Sequence, residues 1–108
     1  MEVGWFILNK IIFLDRDGVI NQKAPEHEHI MSIDDFIILP KVKEAIELCA
    51  AAGYIVIVIT NQRGVPCEIY NSIHEYMKSQ LPGISAVYTC PHEDGECKCR
   101  KPLPGLFY

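Results

Sequence analysis

Asp15 and Asp17 stand two residues apart in Asp15-Arg16-Asp17-Gly18, directly after an apolar run that ends at Leu14. If that run is a strand, both carboxylates can face one crevice, and Gly18 allows the sharp turn that follows. Two acids placed in this way can divide labour. One attacks phosphorus while the other donates and then accepts a proton, as in covalent phosphoryl and glycosyl transfer. A solvated turn would use the same residue types. A calcium loop would not, because one beginning at Asp15 finds Ile20 where glycine is required, although Glu26 falls on its last ligand position.

Further along the chain, Thr60-Asn61 offers a hydroxyl and an amide able to donate to phosphate oxygens, although polar residues at strand ends are also routine caps. Lys98, Arg100 and Lys101 crowd three of the ten basic residues into four positions, a local anion site or a solvated surface. Cys90, His92, Cys97 and Cys99 put three thiolates and an imidazole into ten residues. That set suits tetrahedral Zn²⁺ with no ligand position left open, so the metal would be structural and fold a loop, residues 90–99. Cys97 and Cys99 are poorly spaced to pair with each other, which argues against a disulfide. His27 and His29 read as a hydrated loop, and Cys49 as core packing on the first helix.

The elements that must position these groups follow from the hydrophobic pattern. Residues 10–14 form a short β-branched run that ends abruptly at Asp15 and predict a first buried strand. Pro40 opens a stretch with Val42, Ala45, Ile46 and Cys49 on one helical stripe, and Gly53 closes it. Residues 54–59 are apolar on both pleat faces and predict a second strand. Ile69, Ile73, Tyr76 and Met77 give a second helix ended before Pro82-Gly83, and residues 84–89 a third strand. The order β-α-β-α-β predicts an α/β fold with a parallel sheet, covering helices and right-handed crossovers. Ligands of such sheets bind beyond the carboxyl ends of the strands, where Asp15, Asp17, Thr60 and Asn61 fall. Residues 5–8 fit either an extra strand or a packed arm.

The 108 residues make one domain, 1–108, and 49% hydrophobic with 22% charged residues is the balance of an ordinary globular chain. The net charge of −4 offers no general positive field, so nucleic-acid binding is not expected and any anion must be held locally. The longest apolar runs, 11–14 and 54–59, are far short of the roughly 20 residues of a membrane helix, and Glu2 spoils any basic leader. No membrane partner is expected. Five cysteines, an odd number with three beside a histidine, suit a reduced cytoplasmic setting and a metal.

Taken in order, Phe13-Leu-Asp-Arg-Asp-Gly-Val-Ile-Asn21, Ile59-Thr-Asn-Gln62, Cys90-Pro-His92 and Cys97-Lys-Cys-Arg-Lys-Pro102 resemble the haloacid dehalogenase superfamily. Within it they are similar to the heptose bisphosphate phosphatases and the related histidinol phosphatases, from about Lys10 onward. The resemblance implies a Rossmann-like three-layer fold with a parallel sheet and a Mg²⁺-dependent phosphatase acting on a small phosphorylated substrate. It would make Asp15 the nucleophile that forms an aspartyl-phosphate and Asp17 the acid and then base. Thr60 and Lys101 would hold phosphoryl oxygens, with Arg100 on the substrate. Mg²⁺ would sit on the Asp15 carboxylate and the Asp17 backbone carbonyl. The histidinol group resembles Thr-Asn-Gln-Asp-Gly after the second strand, where this chain has Arg63. An arginine there would repel a cationic substrate and attract a second phosphate, so a sugar bisphosphate is favoured over histidinol phosphate.

Members of the superfamily continue beyond the lysine motif through a helix and another strand whose aspartate completes the Mg²⁺ site. Asp34, Asp35, Glu93 and Asp94 lie in other segments. On that reading the chain is incomplete at its C-terminus, with the strand at residues 10–14 exposed at a sheet edge and prone to self-association there. Such a chain would be weakly catalytic, or a zinc-stabilised module that binds phosphate compounds without efficient turnover.

Overall fold

The computed structural model describes residues 5–25 and 28–90. Its elements run β1 (Trp5–Leu8), β2 (Ile11–Leu14), a 3-10 turn (Ile33–Asp35), α1 (Val42–Ala51), β3 (Ile55–Asn61), α2 (Cys67–Gln80) and β4 (Ile84–Cys90). The sheet order is β1-β2-β3-β4. β2, β3 and β4 are parallel, and β1 pairs antiparallel with β2. The β-α-β-α-β reading therefore holds, with strand and helix ends displaced by one to three residues.

β1 corrects the expectation that residues 10–14 lie at a sheet edge. Asn9 and Lys10 both have positive φ, 50° and 66°, which makes them the two central residues of a tight hairpin. Turns of this hand match the twist of the strands they join, and asparagine tolerates the left-handed region better than most residues. The chain thus folds back at once, Trp5 opposite Leu14 and Ile7 opposite Ile12, and β2 lies between β1 and β3. Lys10 belongs to the turn and not to the strand.

α1 starts later than the proline suggested. Leu39, Pro40, Lys41 and Val42 form a turn closed by Val42 N–H to the Leu39 carbonyl at 3.4 Å, with Lys41 at φ 69° and ψ −1°. That is a type II turn with proline in its favoured place. The helix ends as expected at Gly53, φ 90°, where the Gly53 and Tyr54 N–H groups return to the carbonyls of Ala50 and Cys49. This crossed pair is the Schellman arrangement that a left-handed glycine permits.

One buried cluster joins Ile46 of α1, Ile73 and Met77 of α2, and Val56, Val58 and Ile84 of the sheet, so both helices cover the face that Val56 and Val58 present. Ile20, Ile30 and Phe36, from the long segment after β2, extend the same core. Two crossovers moving the same way across a parallel sheet put their helices on one face when both are right-handed. The burial of α1 is narrower than its sequence stripe, since Ile46 is its buried residue and Ala45 is exposed.

Gly83, in the turn before β4, lies against α1. A Cβ there would stand 2.7 Å from Ile46 Cγ2 and 3.4 Å from the Ile46 carbonyl. Gly83→Ala is therefore expected to destabilise the fold by about 1–3 kcal/mol through overpacking. In an Ile46→Leu background, which removes the offending methyl, the same change should cost much less. Urea melts of the four proteins would show this coupling, and additive losses would contradict it.

Candidate active site

The loop after β2 is organised around one carbonyl. Arg16 C=O accepts the N–H groups of Val19 at 3.1 Å, Ile20 at 2.8 Å and Asn21 at 3.2 Å, while Gly18, at φ 85°, donates to the Asn21 carbonyl at 2.8 Å. A residue with a side chain is strained at that φ, so glycine is required after Asp17. The tight turn alternates its side chains. Asp15 and Asp17 remain partly accessible, whereas Arg16 turns inward and is completely buried.

Arg16 is the centre of the site. One guanidinium nitrogen donates to Asp17 Oδ1 at 2.9 Å, the other lies 3.1 Å from His74 Nε2 on α2, and the Phe36 ring is 5.6 Å from its central carbon. Asn21 Nδ2 donates to the same Asp17 oxygen at 3.0 Å. Gln62, just past β3, donates to Asp17 Oδ2 at 3.0 Å and to Thr60 Oγ1 at 2.7 Å. Donors from the β2 loop and from the tip of β3 thus hold both oxygens of Asp17. Burial alone would raise this carboxyl, but the Arg16 charge and the hydrogen bonds from Asn21, Arg16 and Gln62 outweigh it and keep Asp17 below the usual carboxylate range. Asp15 accepts the Arg16 N–H through Oδ1 at 2.8 Å.

Asp17 and Asn61 line one cavity of about 300 Å³, together with Lys23, Glu28, His29 and Ile30. Of the residues expected at the strand ends, Asp17 and Asn61 share this cavity and Thr60 is linked to Asp17, while Asp15 is not among the lining residues. Thr60 is 1% exposed and is joined to Asp17 through Gln62. Arg63 is exposed in the loop after β3 and is not among the cavity-lining residues. Cys90 is buried at the end of β4, where its carbonyl accepts the Gln62 N–H at 2.9 Å. His92, Cys97, Cys99, Arg100 and Lys101 lie outside the described residues.

For a divalent cation the loop offers a carboxylate at Asp15 and the Asp17 main-chain carbonyl, which accepts none of the three converging N–H groups. Both are hard oxygen donors of the kind Mg²⁺ takes while keeping several waters. Among the described residues, no group of three or more His, Cys, Asp or Glu side chains is gathered for a metal.

Arg16, Asn21, Gln62 and His74 were not identified as functional from the sequence. The first three stand inside the quoted motifs but carried no assigned role. His74 gave a faint signal, since it lies beside Ile73 and three residues before Met77 on the buried face of α2.

His74 is lowered to about 4, chiefly by burial and then by the Arg16 charge, against a partial opposing pull from Asp17. The unfolded chain then binds more protons than the folded one between about pH 4 and 6.5. Stability should be fully present above pH 6.5 and fall as the pH drops through that window, by on the order of 2–3 kcal/mol from this group. Urea denaturation across the pH range should show this slope, reduced by nearly one proton in His74→Gln. An unchanged slope in the variant would show that other groups cause it.

Residues 10–108 match the polynucleotide kinase 3 phosphatase family. The D-glycero-beta-D-manno-heptose-1,7-bisphosphate 7-phosphatase of Bordetella bronchiseptica is 39% identical over 108 residues, covering 91% of this chain and 59% of that protein. The enzyme of the same name from Neisseria meningitidis serogroup A is 36% identical, over 91% of this chain and 57% of its own length. A probable D-glycero-D-manno-heptose-1,7-bisphosphate 7-phosphatase from Thermoplasma volcanium is 32% identical, over 91% of this chain and 72% of its own. The crystal structure of the B. bronchiseptica D,D-heptose 1,7-bisphosphate phosphatase, complexed with magnesium and phosphate, matches with a TM-score of 0.80 at 38% identity, over 91% of this chain and 59% of that one. The chain thus spans a little under three fifths of the length of the first two relatives. On these matches, and with this parallel sheet and acidic loop, the chain belongs to the polynucleotide kinase 3 phosphatase family and has a haloacid dehalogenase-type fold.

Proposed function

We propose that this chain supplies the reaction centre of a phosphoric monoester hydrolase acting on a small sugar bisphosphate of the heptose type. The observation that carries this reading is the Asp15-Arg16-Asp17 loop at the carboxyl end of β2, with Asp17 clamped beside a cavity. It stands in a chain similar to enzymes named for that substrate. An oxygen of Asp15 attacks phosphorus, the bond to the sugar oxygen breaks, and the proton of Asp17 passes to that oxygen. Asp17 then takes a proton from water, whose oxygen attacks the aspartyl-phosphate to release phosphate and restore Asp15. Asp17 is held ionised by its donors, but a bound phosphate dianion would raise its affinity for the proton it must deliver.

The Asp15 carboxylate and the Asp17 carbonyl would hold Mg²⁺, which when bound would supply positive charge against the charge that grows during phosphoryl transfer. Thr60, Asn61, Arg100 and Lys101 would hold the phosphoryl group and substrate. Arg63 would favour a second phosphate over a cationic substrate such as histidinol phosphate. The family's name points to phosphorylated polynucleotide ends, but the net charge of −4 favours a small substrate. Zn²⁺ held by Cys90, His92, Cys97 and Cys99 rests on ligand type and spacing. The cysteine content suits a reducing compartment such as the cytoplasm, and among the described residues no helix is long and apolar enough to cross a membrane.

Phosphate release from a heptose bisphosphate in Mg²⁺ tests the reading. Asp15→Asn removes the attacking charge at nearly constant volume, so turnover should fall at least about a thousandfold while the melting temperature stays close to wild type. Retained turnover in Asp15→Asn would sink the assignment. Turnover too low to detect in wild type, with phosphate compounds still bound, would favour the binding-module reading.

Metal analysis of protein purified under reducing conditions should find one zinc per chain, lost together in Cys97→Ser and Cys99→Ser. Protein that is folded and zinc-free would contradict the ligand set.

A further inference from the structure

The buried Arg16 side chain is held from two sides, and only one of them belongs to the acidic loop. A guanidinium carries N–H donors and no acceptor. The His74 Nε2 atom, 3.1 Å from Arg16, must therefore be the accepting nitrogen of a neutral ring. Its proton then sits on Nδ1, which faces Thr89 Oγ1 at 3.4 Å. A ring protonated at Nε2 would press an N–H against the guanidinium. Thr89 on β4, His74 on α2, Arg16 and Asp17 form one polar chain whose direction is set at every link: Nδ1–H toward Thr89, Arg16 N–H toward Nε2, and Arg16 N–H toward Asp17 Oδ1 at 2.9 Å.

We propose that His74 is a positioning residue for the phosphatase chemistry: by accepting from Arg16 it fixes the guanidinium, and through it the orientation of the Asp17 carboxylate. This rests on the reading of Asp17 as the acid that serves the leaving oxygen. Arg16 is completely buried, so an N–H that loses the His74 lone pair has no water to turn to. An unmet buried donor is costly, and the long side chain must move to satisfy it. Arg16 Nε already lacks a partner, so the lost acceptor would leave a second guanidinium nitrogen unmet. Moving the guanidinium withdraws one of the two donors on Asp17 Oδ1 and leaves Asn21 to hold it alone. General-acid catalysis depends on orientation to within about 0.5 Å and 10–20°, so the loss should appear in proton delivery before it appears in substrate binding.

The chemistry provides a readout that a merely structural role would not move. An alkoxide leaving group needs the acid, whereas p-nitrophenolate leaves without it. In His74→Leu, kcat on a sugar bisphosphate should fall by about 10²-fold with KM within about threefold of wild type, and the first-turnover release of p-nitrophenolate, which precedes water attack on the aspartyl-phosphate, should also stay within about threefold. His74→Gln returns an acceptor oxygen close to the place of Nε2 and should recover most of the loss. In an Asp17→Asn background His74→Leu should cost little more, since the step it serves is already gone. A first-turnover release of p-nitrophenolate that falls as far as the sugar bisphosphate rate, full activity of His74→Leu on the sugar bisphosphate, or additive losses with Asp17→Asn would overturn the proposal.

The ring itself gives an activity-independent test. ¹⁵N shifts of the His74 imidazole at neutral pH should show protonated Nδ1 and bare Nε2, and a mixture of tautomers in Arg16→Met. An Nε2-protonated or charged ring in wild type would refute the arrangement. If wild type hydrolyses neither substrate, the functional reading fails, while the ring tautomer still decides whether His74 holds Arg16.

Discussion

A completely buried arginine placed between two acids is the constraint on which the rest of this structure depends. Removing a guanidinium from water is expensive, and it is tolerated only where opposite charge, acceptors and a polarisable face surround it. Asp17, His74 and the Phe36 ring supply these, and they come from the β2 loop, α2 and the residue that follows the 3-10 turn. The two acids face outward because the residue between them faces inward. The geometry of the candidate site and core packing at this point are one arrangement.

The strand tips are coupled through Asp17. Gln62 leaves β3 and reaches across to Asp17 Oδ2, while its backbone N–H is held by the Cys90 carbonyl of β4. Three adjacent parallel strands thereby contribute at their carboxyl ends to one carboxylate, the geometry expected of ligand sites in open α/β sheets. Low dielectric around buried charge strengthens each of these contacts and makes the loss of any one costly. The Asp17 carboxyl is pulled two ways, upward by burial and downward by its donors, and the donors prevail. An acid in that balance changes its proton affinity readily when an anion arrives beside it.

The outer flank of the sheet is closed by a different device. The hairpin at Asn9 and Lys10 sets β1 against β2, so the strand that carries the acids has hydrogen-bonded neighbours on both sides. A strand paired on both edges is a firmer base for a short loop than an edge strand would be. Trp5 and Ile7, which share one face of β1, are exposed.

Alternating apolar runs and helical stripes, with glycine at the end of α1, determined the element order and the parallel sheet, because these signals are local and strong. The acid pair and the strand-end polar residues were legible for the same reason, since a strand that stops at Asp15 can only present Asp15 and Asp17 beyond its end. The hairpin was weakly legible, because lysine is an unusual residue at positive φ and Asn9-Lys10 lacks the glycine that advertises such turns. What only tertiary structure decided was the partnership of Arg16 with His74, 58 residues apart, and of Asp17 with Gln62, 45 apart. Local patterning shows that a histidine lies on the apolar face of a helix. Which buried charge it meets depends on how α2 crosses the sheet, and that is set by packing summed over the whole core rather than by any motif.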